Sequence, residues 1–162
     1  MKNTRASERY AKSLLMLAIE KKILDKVKAD VDLISKSFED SREISNLYLS
    51  PIIPINHKLS ITKKIFNGKV NEHTLNLLIN LVLRKRDNLI ESILHKFNEL
   101  YNVQKNIEES LITTTFDLDQ KSLEVVKDFA EKITKKNISL INRIDKEIVG
   151  GFNLKIGDRM ID

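Results

Sequence analysis

The sequence predicts a mainly α-helical protein: a six-helix bundle over residues 1–105, followed by a small α/β domain of β-α-β-β order over residues 106–162. Three observations carry this expectation. Apolar residues recur at three- and four-residue spacing from residue 5 to about 104, as a helix with one buried face requires. Beyond residue 105, β-branched residues cluster in "SLITTTF" and the pattern shifts toward alternation. Three of the four glycines, Gly150, Gly151 and Gly157, fall within "IVGGFNLKIGD", a concentration suited to chain reversals rather than to helix.

The helices are expected at 4–22, 24–39, 41–49, 56–67, 72–85 and 88–104. Leu24, Val27, Val31, Ile34 and Phe38 form one stripe; Leu89, Ile90, Ile93, Leu94, Phe97, Leu100 and Tyr101 form another. The only prolines, Pro51 and Pro54 in "LSPIIPIN", remove amide donors and push their preceding residues out of helical conformation, which marks a break. Asn71 followed by Glu72 reads as an N-cap with an acidic first turn, and Arg84, Lys85 and Arg86 suit the negative end of the same helix. Asp87 is placed to cap the next helix. In the second domain, Asp119 caps a helix carrying Leu123, Val126, Ala130 and Ile133. Ile138, Leu140 and Ile144 then define a strand, and a last strand points Phe152, Leu154 and Ile156 one way and Asn153 and Lys155 the other.

Composition narrows the function. A chain of 162 residues fits one compact domain or two small ones. The absence of cysteine excludes a disulfide scaffold, a thiolate nucleophile and thiolate-bound zinc, and suits a reducing compartment. The longest apolar run, Leu14 to Ile19, is far below the roughly 18 residues of a spanning helix. The opening MKNTRASERYAK has no signal-peptide apolar segment, so a bacterial or already mature chain is expected. The formal charge is +5, and the basic excess lies in the first hundred residues, with 18 basic side chains against 12 acidic compared with 10 against 11 in the rest, which favours an acidic partner. Basic and acidic residues are interleaved and aromatics are few, so no nucleic-acid partner is expected. The competing class is a basic helical RNA-binding protein, which steeply salt-dependent RNA affinity would reveal.

No catalytic constellation emerges, and no cofactor or metal is expected. His57, His73 and His95 are scattered, without the partners of a nucleophilic triad. Glu91, His95 and Glu99 share one helical face, but that face is opposite the Ile93, Phe97 and Leu100 stripe and reads as solvated surface rather than a metal site. "NGKV" at 67–70 lacks the upstream glycine and following Ser or Thr of a phosphate loop. Helix-end stabilisation accounts for Arg84, Lys85 and Arg86 without a phosphate ligand.

Two helices carry more apolar surface than a one-sided core can hide. "LLMLAI" in the first helix sweeps more than a full turn, and "LNLLINLVL" at 75–83 is interrupted only by Asn76 and Asn80. Either both are interior helices or they flank a groove that receives an amphipathic helix from another protein.

Several stretches resemble one family along nearly the whole chain: "SERYAKSLLMLAIEKK", "LYLSPIIPINHKLSITKKIF", "LLINLVLRKRDNLIESILHKFNELYN" and, most specifically, "IDKEIVGGFNLKIGDRMID". On these residues the chain is similar to the delta subunit of bacterial F-type ATP synthase, the family of the mitochondrial oligomycin-sensitivity-conferring protein. The resemblance implies a non-catalytic stator subunit, peripheral on the cytoplasmic face of the bacterial inner membrane and in touch with the membrane only through its complex. It implies that the helical domain binds the N-terminal helix of an alpha subunit in a groove between its first and fifth helices. Tyr10, Ala11, Leu14 and Ala18 are expected on one wall and Leu77, Leu78 and Leu81 on the other. The α/β domain would hold the ends of the b subunits of the peripheral stalk. Family members continue past the final Ile-Asp with a basic helix that this sequence, ending at Asp162, does not include, so an exposed strand edge is expected.

Gly150 and Gly151 are expected to turn the chain between strands where a Cβ would clash, and Gly157 with Asp158 to make the next reversal. No helix N-terminus follows the pair to receive an anion, so the cluster is structural.

Overall fold

The computed structural model describes residues 4–161. The chain divides into two compact units, Met1–Tyr101 and Asn102–Asp162.

The first unit is helical: α1 (Arg5–Glu20), α2 (Leu24–Asp40), α3 (Arg42–Leu49), α4 (Ile55–Phe66), α5 (Glu72–Leu83) and α6 (Ile90–Gln104), the last entered through a 3-10 turn at Asp87–Leu89 and running on into the second unit. Helix starts follow the capping logic. Thr4 Oγ1 accepts from the Ser7 amide at 3.1 Å, and Asn71 Oδ1 accepts from the His73 amide at 3.0 Å. The ends of α1 and α5 are closed without glycine. After α1, Lys22 takes φ 57°, and the amides of Lys22 and Ile23 bond back to the Ile19 and Ala18 carbonyls. After α5, Lys85 does the same with φ 57°, its amide reaching Val82 and that of Arg86 reaching Leu81. Both are Schellman closures, in which left-handed lysines satisfy carbonyls that would otherwise lack partners.

The core collects one stripe per helix: Ala11, Leu14 and Ala18; Val27, Val31, Ile34 and Phe38; Leu78, Leu81 and Val82; Ile90, Ile93, Leu94 and Phe97. Phe38 and Tyr48 stack at 5.4 Å between centroids. Buried polar groups tie helices that are distant in sequence. Asp30 Oδ2 accepts from the Asn71 amide and the Thr74 hydroxyl, both at 2.8 Å, fixing the start of α5 to α2. Ser7 and Ser92 share a hydrogen bond of 2.9 Å between α1 and α6.

One expectation is corrected. Asp87 is not an N-cap: it lies inside the 3-10 turn, and its carboxylate is ion-paired with Lys58, both side chains being buried. Lys58 Nζ also donates to the Ser50 carbonyl at 2.7 Å, so this pair clamps the proline-broken elbow between α3 and α4 to the corner after α5. A contact between residues 29 apart in sequence leaves no local pattern to read. The basic run Arg84–Arg86 begins at the C-cap of α5, at the negative end of that helix as expected. Backbone amides close the helix, and the Arg86 guanidinium turns to Tyr10.

The second unit contains β1 (Ile107–Thr114), α7 (Gln120–Thr134), β2 (Asn137–Ile144), β3 (Phe152–Ile156) and β4 (Arg159–Ile161). Its sheet has the order β2-β1-β3-β4; β1 pairs parallel with β2, and the other two pairings are antiparallel. Asp119 Oδ1 accepts from the Ser122 amide at 3.0 Å and caps α7 as expected. Ile112, Ala130, Ile138, Leu154 and Ile156 form the core. The short β4 was not expected. It exists because Gly157 and Asp158 form a two-residue hairpin, with Ile156 opposite Arg159; Gly157 has φ +54°, as the first position of a II′ turn requires.

Glycine at 150 and 151 is required for a reason other than the expected clash. A Cβ at Gly150 or Gly151 would meet nothing within 4 Å, so space is not the constraint. Both residues hold φ near +80°, at 78° and 81°, and that conformation is the reason for glycine there. The close approach is at Gly157, where an added Cβ would lie 2.5 Å from Glu108 Oε1.

Candidate functional site

The two apolar-rich helices are neither enclosed nor open along the stripe expected. Ala11, Leu14, Ala18, Leu78 and Leu81 are between 0% and 4% exposed and serve the core of their own unit. Their three- and four-residue spacing marks the innermost face of each helix, the face that its neighbours cover first. Only Tyr10 and Leu77 of the seven expected groove residues are half-buried, with surface left to offer. The surplus lies around the flanks. Met16 is 69% exposed and Ile19 is exposed on α1, Leu83 is 52% exposed on α5, and Leu15, Leu17, Leu75 and Ile79 are intermediate. The signal for these residues was present in "LLMLAI" and "LNLLINLVL", since a run longer than one turn must place some side chains off the core face.

Tyr10 is held by a specific contact. Arg86 Nη1 donates to Tyr10 Oη at 2.8 Å, and the guanidinium carbon stands 5.9 Å from the ring centroid. This pair joins α1 to the corner after α5. Arg84, the C-cap of α5, follows Leu77 by seven residues, two turns along the same flank.

Elsewhere the described residues of the unit hold a cavity and a few polar pairs, each committed locally. A cavity of about 270 Å³ beside the elbow is lined by Tyr48, Pro51, Ile53, Lys58, Val82 and Asp87 among others, and its buried ionisable pair is committed to itself. Burial pushes the Tyr48 phenol above its ordinary value, partly offset by its 2.8 Å hydrogen bond to Thr62. Glu91 accepts from the Ser45 hydroxyl, and His95 lies 3.4 Å from Glu99. No group of side chains that could hold a metal ion is found among the described residues. No helix among them is long and apolar enough to cross a membrane.

In the second unit Gly150, Gly151, Gly157 and Asp158 lie in the two reversals that bound β3. α7 buries only Ala130 fully and leaves Val125, Phe129 and Ile133 exposed at four-residue intervals; Ile133, expected with Leu123, Val126 and Ala130, falls instead on this outer stripe with Val125 and Phe129.

A helical bundle with exposed apolar flanks on two helices, followed by a small mixed-sheet unit with another such stripe, defines the class: a two-unit helical and α/β protein with apolar side chains left exposed on three helices. A model of the family described as ATP synthase delta (OSCP) subunit matches residues 6–162. The ATP synthase subunit delta of Cytophaga hutchinsonii is 35% identical over 163 residues, covering 100% of this chain and 88% of the relative. That of Halalkalibacterium halodurans is 34% identical over 166 residues, covering 100% and 89%. A chain in the cryo-EM structure of the Toxoplasma gondii mitochondrial ATP synthase hexamer shares the fold, with a TM-score of 0.79 and 23% identity over 98% of this chain and 90% of that one. The chain therefore belongs to the ATP synthase delta (OSCP) subunit family.

Proposed function

We propose that this chain is the non-catalytic stator link of an F-type ATP synthase. It joins the catalytic head to the b subunits of the peripheral stalk and resists rotor torque, at the cytoplasmic face of a bacterial inner membrane. The helical unit takes the N-terminal helix of an alpha subunit against α1 and α5, and the α/β unit meets the b subunits. The observation that carries this reading is the apolar surface left over on α1 and α5, with Met16 and Leu83 more than half exposed although both helices also supply the core. The exposed stripe Val125, Phe129 and Ile133 on α7 supports the assignment of the stalk contact to the second unit.

A mechanical link needs durable contacts rather than reacting groups. Nanomolar affinity corresponds to about 12 kcal/mol, and at about 25 cal/mol per Å² that is on the order of 500 Å² of apolar surface beyond what offsets the entropy of association. An amphipathic helix laid along two helix flanks can supply such an area.

The test is reconstitution of the synthase with and without the chain. With it, ATP hydrolysis by the head drives proton movement; without it, hydrolysis continues and proton movement is lost. A complex lacking the chain that pumps as well as the complete one would refute the stator role.

A further inference from the structure

The segments around α1 and α5 are both basic. Around α1, Arg5, Arg9, Lys12, Lys21 and Lys22 stand against Glu8 and Glu20; from α5 through its closing turn, Arg84, Lys85 and Arg86 stand against Glu72. Eight basic against three acidic side chains leave these two segments strongly positive; residues 51–71 are basic as well, with Lys58, Lys63, Lys64 and Lys69 and no acidic residue. All eight basic side chains are exposed. Among the described residues only Lys12 has a carboxylate within ion-pair distance, Glu8 at 2.9 Å. Outside these two segments Lys28, Lys58, Lys96, Lys127 and Lys136 each have one, whereas Lys63, Lys64 and Lys69 are exposed with none among the described residues.

Unpaired cations beside exposed apolar side chains define the chemistry of what fits there. An acidic helix gains from both, whereas a basic one is rejected by like charge. Arg86 is the best placed of the cations. Its contact with Tyr10 uses one of five guanidinium donors and one ring face, holding the group in position while leaving donors free. A carboxylate accepts two parallel bonds from such a fork, and a guanidinium already positioned loses less freedom on binding. Arg84, on the flank of α5 that carries Leu77, adds a second positive charge nearby in the chain.

The geometry points to an acidic amphipathic helix as the occupant of the α1 and α5 surface, with Arg86 as the residue that takes its carboxylate. This rests on the proposed function, which supplies the incoming helix, and adds its charge and the residue that selects it.

The experiment titrates the full chain with a synthetic peptide of the cognate alpha subunit's N-terminal segment, at low and high salt. A second peptide has its Asp and Glu replaced by Asn and Gln. Arg86→Gln is expected to weaken binding of the native peptide about tenfold and to flatten its salt dependence. The neutralised peptide is expected to lose a similar factor on the unaltered chain and little more on Arg86→Gln. Arg86→Lys, which keeps the charge and loses the fork, falls between, and melting curves confirm that each variant is folded. Equal affinities of Arg86→Gln and the unaltered chain at both salts, or equal binding of the two peptides, would overturn the inference and leave the stator reading standing. No binding of either peptide by the unaltered chain would overturn both.

Discussion

Replacing Asp87 with Ala strands a buried cation. Lys58 is 5% exposed and Asp87 7% exposed; once the carboxylate is gone, the ammonium retains the Ser50 carbonyl as its acceptor. Removing one partner of a buried pair costs about 3–5 kcal/mol, because the remaining charge stays desolvated. The pair lies at the wall of a cavity through which water can approach, so the low end, about 3 kcal/mol, is expected. For a unit of this size each kcal/mol shifts the melting temperature by about 4–8 °C, so the helical unit should melt at least about 10 °C lower. Replacing both residues together, Lys58→Met with Asp87→Leu, removes the stranded charge and should recover most of the loss. Thermal unfolding followed by helical circular dichroism measures both variants. The reasoning fails if Asp87→Ala melts within a degree or two of the unaltered protein, or if the double variant is worse than the single one.

Three further outcomes are expected. Gly151→Val forces a β-branched residue to φ near +80° and should destabilise the second unit by about 1–3 kcal/mol, weakening b-subunit binding while the helical unit melts unchanged; retained binding and melting would contradict this. Asp119→Ala removes the cap of α7 and should lower the melting temperature of that unit. Hydrogen bonds from Ser122 hold the Asp119 carboxyl below its ordinary value, so its contribution is present above the unfolded carboxyl value and lost as pH falls through the lower folded one; Asp119→Ala should remove that acid dependence. Burial raises the Tyr48 phenol, so the folded unit keeps its proton longer than the unfolded chain does and loses stability as pH climbs past about 10; Tyr48→Phe should blunt that alkaline loss in melting curves taken against pH.

The sequence was informative wherever one local period decides the structure. The helices stand within a few residues of expectation, Asn71 and Asp119 cap as their types dictate, and "LSPIIPIN" breaks the chain between α3 and α4. What stayed hidden depends on partners far apart in sequence or on backbone angles. Asp87 meets Lys58 and Arg86 meets Tyr10 across 29 and 76 residues, so neither contact has a local signature. The expected groove residues illustrate a more general difficulty. A stripe such as Ala11, Leu14 and Ala18 marks the face that is hidden first, whereas a partner must use the flanks, and periodicity alone does not say which flank is left uncovered. At Gly150 and Gly151 the residue type was read correctly as a chain reversal, but the cause is positive φ rather than lack of room.

The stator reading depends most directly on where a head-derived helix binds. Hydrogen exchange of the full chain, alone and saturated with the N-terminal segment of its cognate alpha subunit, locates that contact. The account predicts added protection in α1, in α5 and in the turn carrying Arg84 to Arg86, with the second unit unchanged. Saturable binding that protects only the second unit, or no binding at micromolar concentrations, would contradict it.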